Sequence, residues 1–547
     1  MSKIMYSACQ LPGVNMPLLC IGSSRTEAHN ALQNWALIKY RIRILMVLLA
    51  LLQSVAGRST CLTPVMEDTA HQLLAFSTVL QDHMVIQQNK PFTVWGRAEK
   101  FAKVLIEADW MVDGQKAWVA VRADADGRFR GILAVPKATA HDYRPHQLKI
   151  SSHNETRTIK DLLIGDLWFL SGQSNMQFAV HEMLDSTEII NNANAHIRLL
   201  NVALNFSATP MEDIQGNWQI CTPVSVRDFS AVGYSFGNHL QQRLDIPVGL
   251  IFSGIGASTV QAFVPEKALA ADAVLNKTYL TPYVQDPKSR QEITAGFSFE
   301  KVTRPFLLYN ALIHPFIPLS IKGFCWYQGE TNYKDRAAFA RATITLIKSW
   351  RAAFKQGCLP FEFVQIAPYA HEKLDSTLTG DAYFREVQAS VRYLNNTYMA
   401  LTLDVGNPSN LHPKNKRPVG ERLAAIALNR TYNQLQVPYL GPQFQYVAFN
   451  HHKAIIHFEP ETVSSGLMTH DGRPPRDFYL AGSDSVFYPA QAVIVGNTVE
   501  LMAPKVATPL FVRYAFYNYP VTNLQNKAGL PAESFRTDNF LEKKADY

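Results

Sequence analysis

The chain has 547 residues, 47% hydrophobic and 18% charged, which excludes a disordered chain and is too long for one ordinary core, so two or three domains are expected. Of the formal net charge of +7, more than half sits in residues 1–57, where Lys3, Arg25, Lys39, Arg41 and Arg43 stand against Glu27 alone. The remainder is near balance, which excludes the clustered basic face that nucleic-acid binding needs.

Residues 1–57 read as a lead and a signal peptide. Arg41 and Arg43 precede an apolar run, Ile44 to Leu52, and the small residues Ser54-Val55-Ala56-Gly57 follow. This is the order of a secretory signal, and the run is short for a membrane span. Export, secreted or periplasmic, is predicted, with no membrane span after cleavage. Six cysteines (Cys9, Cys20, Cys61, Cys221, Cys325, Cys358) show no close paired spacing, so the sequence implies neither a zinc site nor a dense disulfide framework. An exported chain is permitted one or two bridges without needing them.

Residues 73–164 are short, alternating and rich in turns, which predicts an N-terminal β domain. Phe92–Trp95, Trp118–Val121 and Phe129–Val135 read as strands, with Asp126-Gly127 as a hairpin turn between the last two.

Over residues 165–434 strand-like runs alternate with helical ones, the pattern of a largely parallel sheet covered on both faces. In the stretch Gly165–Phe178, GDLWFLSGQSNMQF, the apolar run Leu167–Leu170 breaks at Ser171-Gly172-Gln173-Ser174-Asn175. Ser174 therefore falls at a strand's carboxyl end, where open α/β sheets bind ligands. Its hydroxyl suits either a nucleophile or a helix cap. Three more runs repeat the layout: Val248–Ser253 leads into Gly254–Ser258, Ile321–Tyr327 into Gln328-Gly329-Glu330, and Met399–Val405 into a loop carrying His412. Four such exits describe a site. Phe339, Leu346, Ile347, Trp350 and Phe354 recur at helical spacing, with Gly357 as the stop and Phe361–Ile366 as the next strand. Ala271–Phe299 lacks clean periodicity and reads as an insertion at the site's rim. Residues 437–547 return to alternation, a C-terminal β domain with strands at Ala454–Phe458, Val493–Val495 and Val499–Met502 and a turn at Gly496-Asn497. The aromatic group Tyr514, Phe516, Tyr517 and Tyr519 reads as strand packing against the central domain, with a sugar platform as the alternative.

The segments GDLWFLSGQSNMQF, GLIFSGIGAS, GFCWYQGETN and NLHPKNKRPVGERLA, in that order, resemble the sialate O-acetylesterase family, a branch of the SGNH hydrolases. FSTVLQDHMVIQQNKPFTVWG and VRYAFYNYPVTNLQNKAGLPAESFRTD extend the likeness over Leu73–Asp538. The resemblance implies a flavodoxin-like three-layer α/β/α domain flanked by β-sandwich domains. It also implies hydrolysis of O-acetyl esters of sialic acid through an acetyl-serine.

By the same resemblance Ser174 attacks and His412 is base, then acid. The N–H of Ser174, the N–H of Gly256 and the amide of Gln328 form the oxyanion hole, and Gln173, Asn175 and Glu330 belong to the site's wall. Related sequences carry an aspartate two residues before the histidine. Here Asn410 stands there, and Asp404 is the other candidate to orient the imidazole. Ile255 and Ala257 replace a tryptophan and a glycine of the relatives. Arg385 is expected to pair structurally rather than meet an acidic sugar. No metal and no cofactor are implied. The partner implied is an O-acetylated sialic acid or another acetylated glycan. An acetylxylan esterase keeps the mechanism and changes the sugar. A glycan-binding protein with a decayed centre is the reading that Asn410 and Ala257 keep open.

Overall fold

The computed structural model describes residues 74–294, 296–371 and 378–542, and the architecture is that of Gln72–Tyr547. The predicted signal peptide, with Cys9, Cys20 and Cys61, lies outside the described residues.

The central sheet is organised around one long strand, β1 (Glu155–Gly172). With it run β2 (Ile197–Asn201), β3 (Trp218–Ile220), β4 (Val248–Phe252), β5 (Gly323–Tyr327), β6 (Phe361–Val364) and β7 (Thr397–Ala400), in the spatial order β3-β2-β4-β1-β5-β6-β7. All are parallel except the edge strand β3. Strands β2 and β4 lie to one side of β1 and β5 to β7 to the other. The strand order therefore reverses at β1, and the loops leaving β1 and its neighbours diverge there, opening a crevice at their carboxyl ends.

Alternation along β1 explains why the sheet is covered on both faces. Leu167 and Phe169 enter one core with Phe339, Leu346, Trp350 and Phe354 of α2 (Ala337–Phe354), while Trp168 and Leu170 enter another with Val232, Phe236 and Leu240 of α1 (Ala231–Leu244) and Val419 and Leu423 of α4 (Arg417–Ile426). A fully apolar strand is what a sheet buried on both sides requires. A further helix, α3 (Gly380–Ala389), follows β6.

The first half of β1 belongs to a different layer. It pairs with His146–Ser152, which pairs with Lys103–Val112 and through it with Gln115–Arg122. A second sheet of Ala75–Phe76, Phe92–Arg97 and Arg128–Leu133 faces it, and Val94, Ile106, Phe129 and Ile150 fill the space between. Asp126-Gly127 is a turn, but it does not close the expected hairpin. Arg128–Leu133 pairs with Phe92–Arg97, and Gln115–Arg122 with Lys103–Val112. The hairpin turn is Asp113-Gly114, where both residues hold positive φ of 50° and 79° between the paired Val112 and Gln115. Such a two-residue turn matches the twist of its strands, whereas the loop through Asp126-Gly127 carries the chain from one sheet to the other.

Two other expectations are corrected. The strand expected over Met399–Val405 ends at Ala400, because Val405 N–H turns back onto the Thr402 carbonyl and the Thr402 hydroxyl is donated to the Gln365 carbonyl. Helix α2 stops at Phe354 on a left-handed Lys355, not at Gly357. Cys221, Cys325 and Cys358 are free thiols, so no bridge forms among the described residues.

Beyond residue 437, Phe444–Asn450, Lys453–Phe458, Thr498–Met502 and Gln491–Val495 form one antiparallel sheet, with Val495 paired to Thr498 across Gly496-Asn497. Phe478–Ala481, Tyr488–Pro489, Phe511–Tyr514 and Phe535–Arg536 form a second, and Ile456, Leu480, Leu501, Val512 and Tyr514 share the core between them. Phe516 packs on Tyr383 of α3, consistent with the packing expected of the aromatic group.

Candidate active site

Gly172 ends β1 with φ of 139°, and a Cβ there would lie 2.1 Å from the Tyr327 carbonyl oxygen of the neighbouring β5. Only glycine lets the two strand ends approach this closely before the chain turns. Gln173 follows, and its N–H is donated to that same carbonyl, 2.9 Å away. Ser174 then opens a single helical turn, Ser174–Gln177. His412 arrives from the loop after β7, and its Nε2 lies 2.7 Å from Ser174 Oγ. Residues 238 positions apart thus meet at the point where the strand order reverses.

The imidazole is half-buried. Burial first, and the charge of Lys416 second, lower its pKa below the ordinary value, while Glu182 acts in the opposite direction. A histidine held neutral can accept the serine proton, which is what an alcohol needs before it attacks a carbonyl. A cavity of about 670 Å³ opens beside the pair, with Ser174, Gln177, Phe178, Glu182, His412 and Lys414 among its lining. None of the described residues of the Ala271–Phe299 insertion lines it, contrary to expectation; that segment forms short helical turns elsewhere.

Neither expected orienting group reaches the imidazole. Asn410 Oδ1 accepts from the backbone N–H of His412 at 2.9 Å, so it shapes the loop rather than the ring. Asp404 is held by Arg422 through two bonds of 2.7 and 2.6 Å. Among the described residues none accepts from Nδ1 of His412, and the pair stands as a Ser–His dyad. Two of the three expected oxyanion donors are also engaged. The Gly256 N–H lies beside Ser174, but it is donated to Gln177 Oε1 at 2.8 Å. Gln328 is fully buried, and its amide nitrogen is donated to the Ser258 carbonyl at 3.2 Å and Asn332 Oδ1 at 2.7 Å. Gln328 is not among the residues that line the cavity. The N–H of Ser174 makes no hydrogen bond among the described residues.

Gln173 and Asn175 are buried, Glu330 is half-buried, and all three tie loops together. Gln173 Oε1 accepts from the N–H groups of Gly329 and Thr331 at 3.3 and 3.4 Å. Asn175 Nδ2 is donated to Glu330 Oε1 at 2.6 Å and to the Leu411 carbonyl at 3.2 Å, while Asn175 Oδ1 accepts from Lys416 Nζ. Burial raises the Glu330 pKa above the carboxylate value, with Asn175 and Lys416 opposing. Burial also pulls the Lys416 pKa down to about 7. Arg385 is not at the site. It is fully buried and donates to the carbonyls of Asn518 and Tyr517, a structural role without the ion pair expected.

Sequence reasoning missed Gln177, Glu182 and Lys416. The spacing of Gln177, three residues after Ser174 on one helical turn, was the available signal. Lys416 had none, because Lys414, Lys416 and Arg417 look alike until the fold buries one of them. Among the described residues no three His, Cys, Asp or Glu side chains stand together as a metal site would need, and no helix is long and apolar enough to cross a membrane.

A serine and a histidine bonded at the carboxyl ends of a doubly wound sheet define an α/β esterase. The family model described as carbohydrate esterase, sialic acid-specific acetylesterase, matches residues 295–429. The human sialate O-acetylesterase is 27% identical over 420 residues, 70% of this chain and 75% of that protein, and the mouse enzyme is 26% identical over 67% and 75%. A carbohydrate acetylesterase from Xanthomonas citri superposes with a TM-score of 0.75 at 30% identity, covering 85% of this chain and 100% of that one. The chain belongs to the sialate O-acetylesterase family of carbohydrate esterases.

Proposed function

We propose that the protein removes O-acetyl groups from sialic acid, with Ser174 as nucleophile and His412 as general base and then acid. The observation that carries this reading is the 2.7 Å approach of His412 Nε2 to Ser174 Oγ at the mouth of a polar cavity. His412 takes the Oγ proton as Oγ bonds to the acetyl carbonyl carbon. The tetrahedral oxyanion meets the Ser174 N–H, and the Gly256 N–H once Gln177 has released it. Collapse breaks the bond to the sugar oxygen, which leaves with the proton from His412. Water then attacks the acetyl-Ser174 carbonyl while His412 removes its proton, and acetate departs as the proton returns to Oγ.

Lys414, exposed on the cavity wall, offers a cation to an acidic sugar, which a neutral xylan does not need. Export rests on the run from Arg41 to Gly57 in the sequence.

The test is a substrate panel of 9-O-acetyl sialic acid and acetylated xylan with Ser174→Ala as control. Release of acetate from the sialic acid, reduced about 10⁴-fold or more in the variant, is expected for a nucleophile of this kind. Full activity in Ser174→Ala removes the mechanism. Preference for xylan replaces the sugar and keeps the chemistry. Glycan binding without turnover in the wild type makes the protein a lectin-like relative.

A further inference from the structure

Among the described residues the dyad has no third member, yet both of its residues are anchored to one buried cation. Lys416 is 1% exposed, with its ammonium on Asn175 Oδ1 and over the rings of Phe178 and Tyr327 at 4.9 and 5.7 Å. Asn175 is the residue after Ser174. Its amide passes the connection on to Glu330 Oε1 and to the carbonyl of Leu411, the residue before His412. One lysine thus holds the nucleophile's turn, the loop after β5 and the histidine loop in one arrangement. Burying a lysine without a directly bonded carboxylate is costly, so a purely structural tie would be better served by a neutral side chain.

We propose that Lys416 is a positioning residue of the esterase site, which fixes the Ser174 and His412 loops through Asn175 and brings a positive charge to the histidine loop. The inference rests on the Ser174–His412 reading above. The charged groups facing Lys416 are Glu330 from the loop after β5, Glu182 from the turn after Ser174–Gln177, and His412 on its own loop. The two carboxylates favour the ammonium, and the ammonium disfavours an imidazolium. With its own pKa at about 7, Lys416 is still charged where His412, whose pKa lies lower than usual, would take up a proton. At higher pH it discharges, so the imidazolium formed during attack meets less repulsion. A dyad without a carboxylate thereby gains a base that stays available in mildly acidic solution.

The experiment is hydrolysis of 4-methylumbelliferyl acetate from pH 5 to pH 9 by the full chain and by Lys416→Met, Lys416→Arg and Ser174→Ala. Removing the cation is expected to move the acidic limb of kcat/KM to higher pH and to lower kcat about tenfold or more, as small misplacements of reacting groups do. Lys416→Arg keeps the charge and leaves the limb where it was. A limb unmoved in Lys416→Met, or moved equally in Lys416→Arg, overturns the proposal, because a structural tie alone would lower kcat in both without shifting either profile. Should the methionine variant not fold, Lys416→Gln removes the charge and keeps a donor for Asn175. The wild type provides an independent check: its acidic limb is expected below the ordinary imidazole value of 6.5, and a limb at or above that value overturns the proposal without any variant. Activity surviving in Ser174→Ala would instead refute the underlying reading.

Discussion

Gln177 shows how a resting site can hold its own place open. Its side-chain oxygen sits on the Gly256 N–H as an ester oxygen would, and it must leave before that donor can serve a tetrahedral intermediate. Truncation in Gln177→Ala is therefore expected to raise kcat/KM about fivefold, the worth of one neutral hydrogen bond of about 1 kcal/mol, in steady-state hydrolysis of an acetyl ester. A fall instead would mean that the amide itself serves the reaction. At this scale the sequence was informative in an uneven way. Ser174 and His412 were legible because each follows an apolar run that a parallel sheet turns into a strand exit. The fates of Asn410, Asp404 and Gln328 were not legible, because which atom a polar side chain bonds depends on a loop path that periodicity does not encode. Asn410 spends its oxygen on a backbone N–H two residues away, a local turn that competes with any bond to the ring.

Among the elements, β1 decides where the chemistry can occur. Its apolar run reads directly as a strand buried on both faces, and helix α2 is equally plain, since Phe339, Leu346, Ile347, Trp350 and Phe354 are all buried as their spacing implies. What spacing could not tell is that β1 continues backwards to Glu155 into the N-terminal layer, or that Asp113-Gly114 rather than Asp126-Gly127 is the hairpin turn. Both turns contain Asp-Gly, and pairing is settled by which sheet face each strand must cover. Gly172 is the element's most constrained point. Gly172→Ala would drive a methyl into the Tyr327 carbonyl and prise β1 from β5, so a loss of about 2–4 kcal/mol in urea unfolding is expected, together with loss of esterase activity. Unchanged stability would show that the strand ends tolerate more separation than the close approach implies.

Across the molecule, the C-terminal sheets are fastened to the catalytic layer by charged side chains. Arg385 of α3 donates to the carbonyls of Tyr517 and Asn518, Asn518 Oδ1 accepts from the Asp381 N–H at 2.8 Å, and Arg392 pairs with Glu533 at 2.6 Å. Arg385→Met strands one buried and one half-buried carbonyl, for an expected cost of about 2–4 kcal/mol by denaturant unfolding. Asp538 adds a pH dependence. Burial alone would raise its pKa, but the hydrogen bond and charge of Arg513, with Arg536, outweigh it and hold the carboxyl below its ordinary 3.8. A depressed pKa contributes stability that is present above the unfolded value and lost as pH falls through the folded one, so Asp538→Asn is expected to narrow the difference in melting temperature between pH 7 and pH 3. That these sheets lie beside α3 was foreshadowed only by the aromatic group around Phe516, because ion pairs between distant segments leave no local signature.

Catalysis at this site depends on an activated hydroxyl at one position, and a fluorophosphonate probe reads that property without assuming a substrate. Covalent labelling mapped by peptide mass spectrometry to Ser174, and abolished in both Ser174→Ala and His412→Gln, is the predicted result. Labelling at another serine, or turnover of an acetyl ester by a chain whose Ser174 stays unmodified, would contradict it.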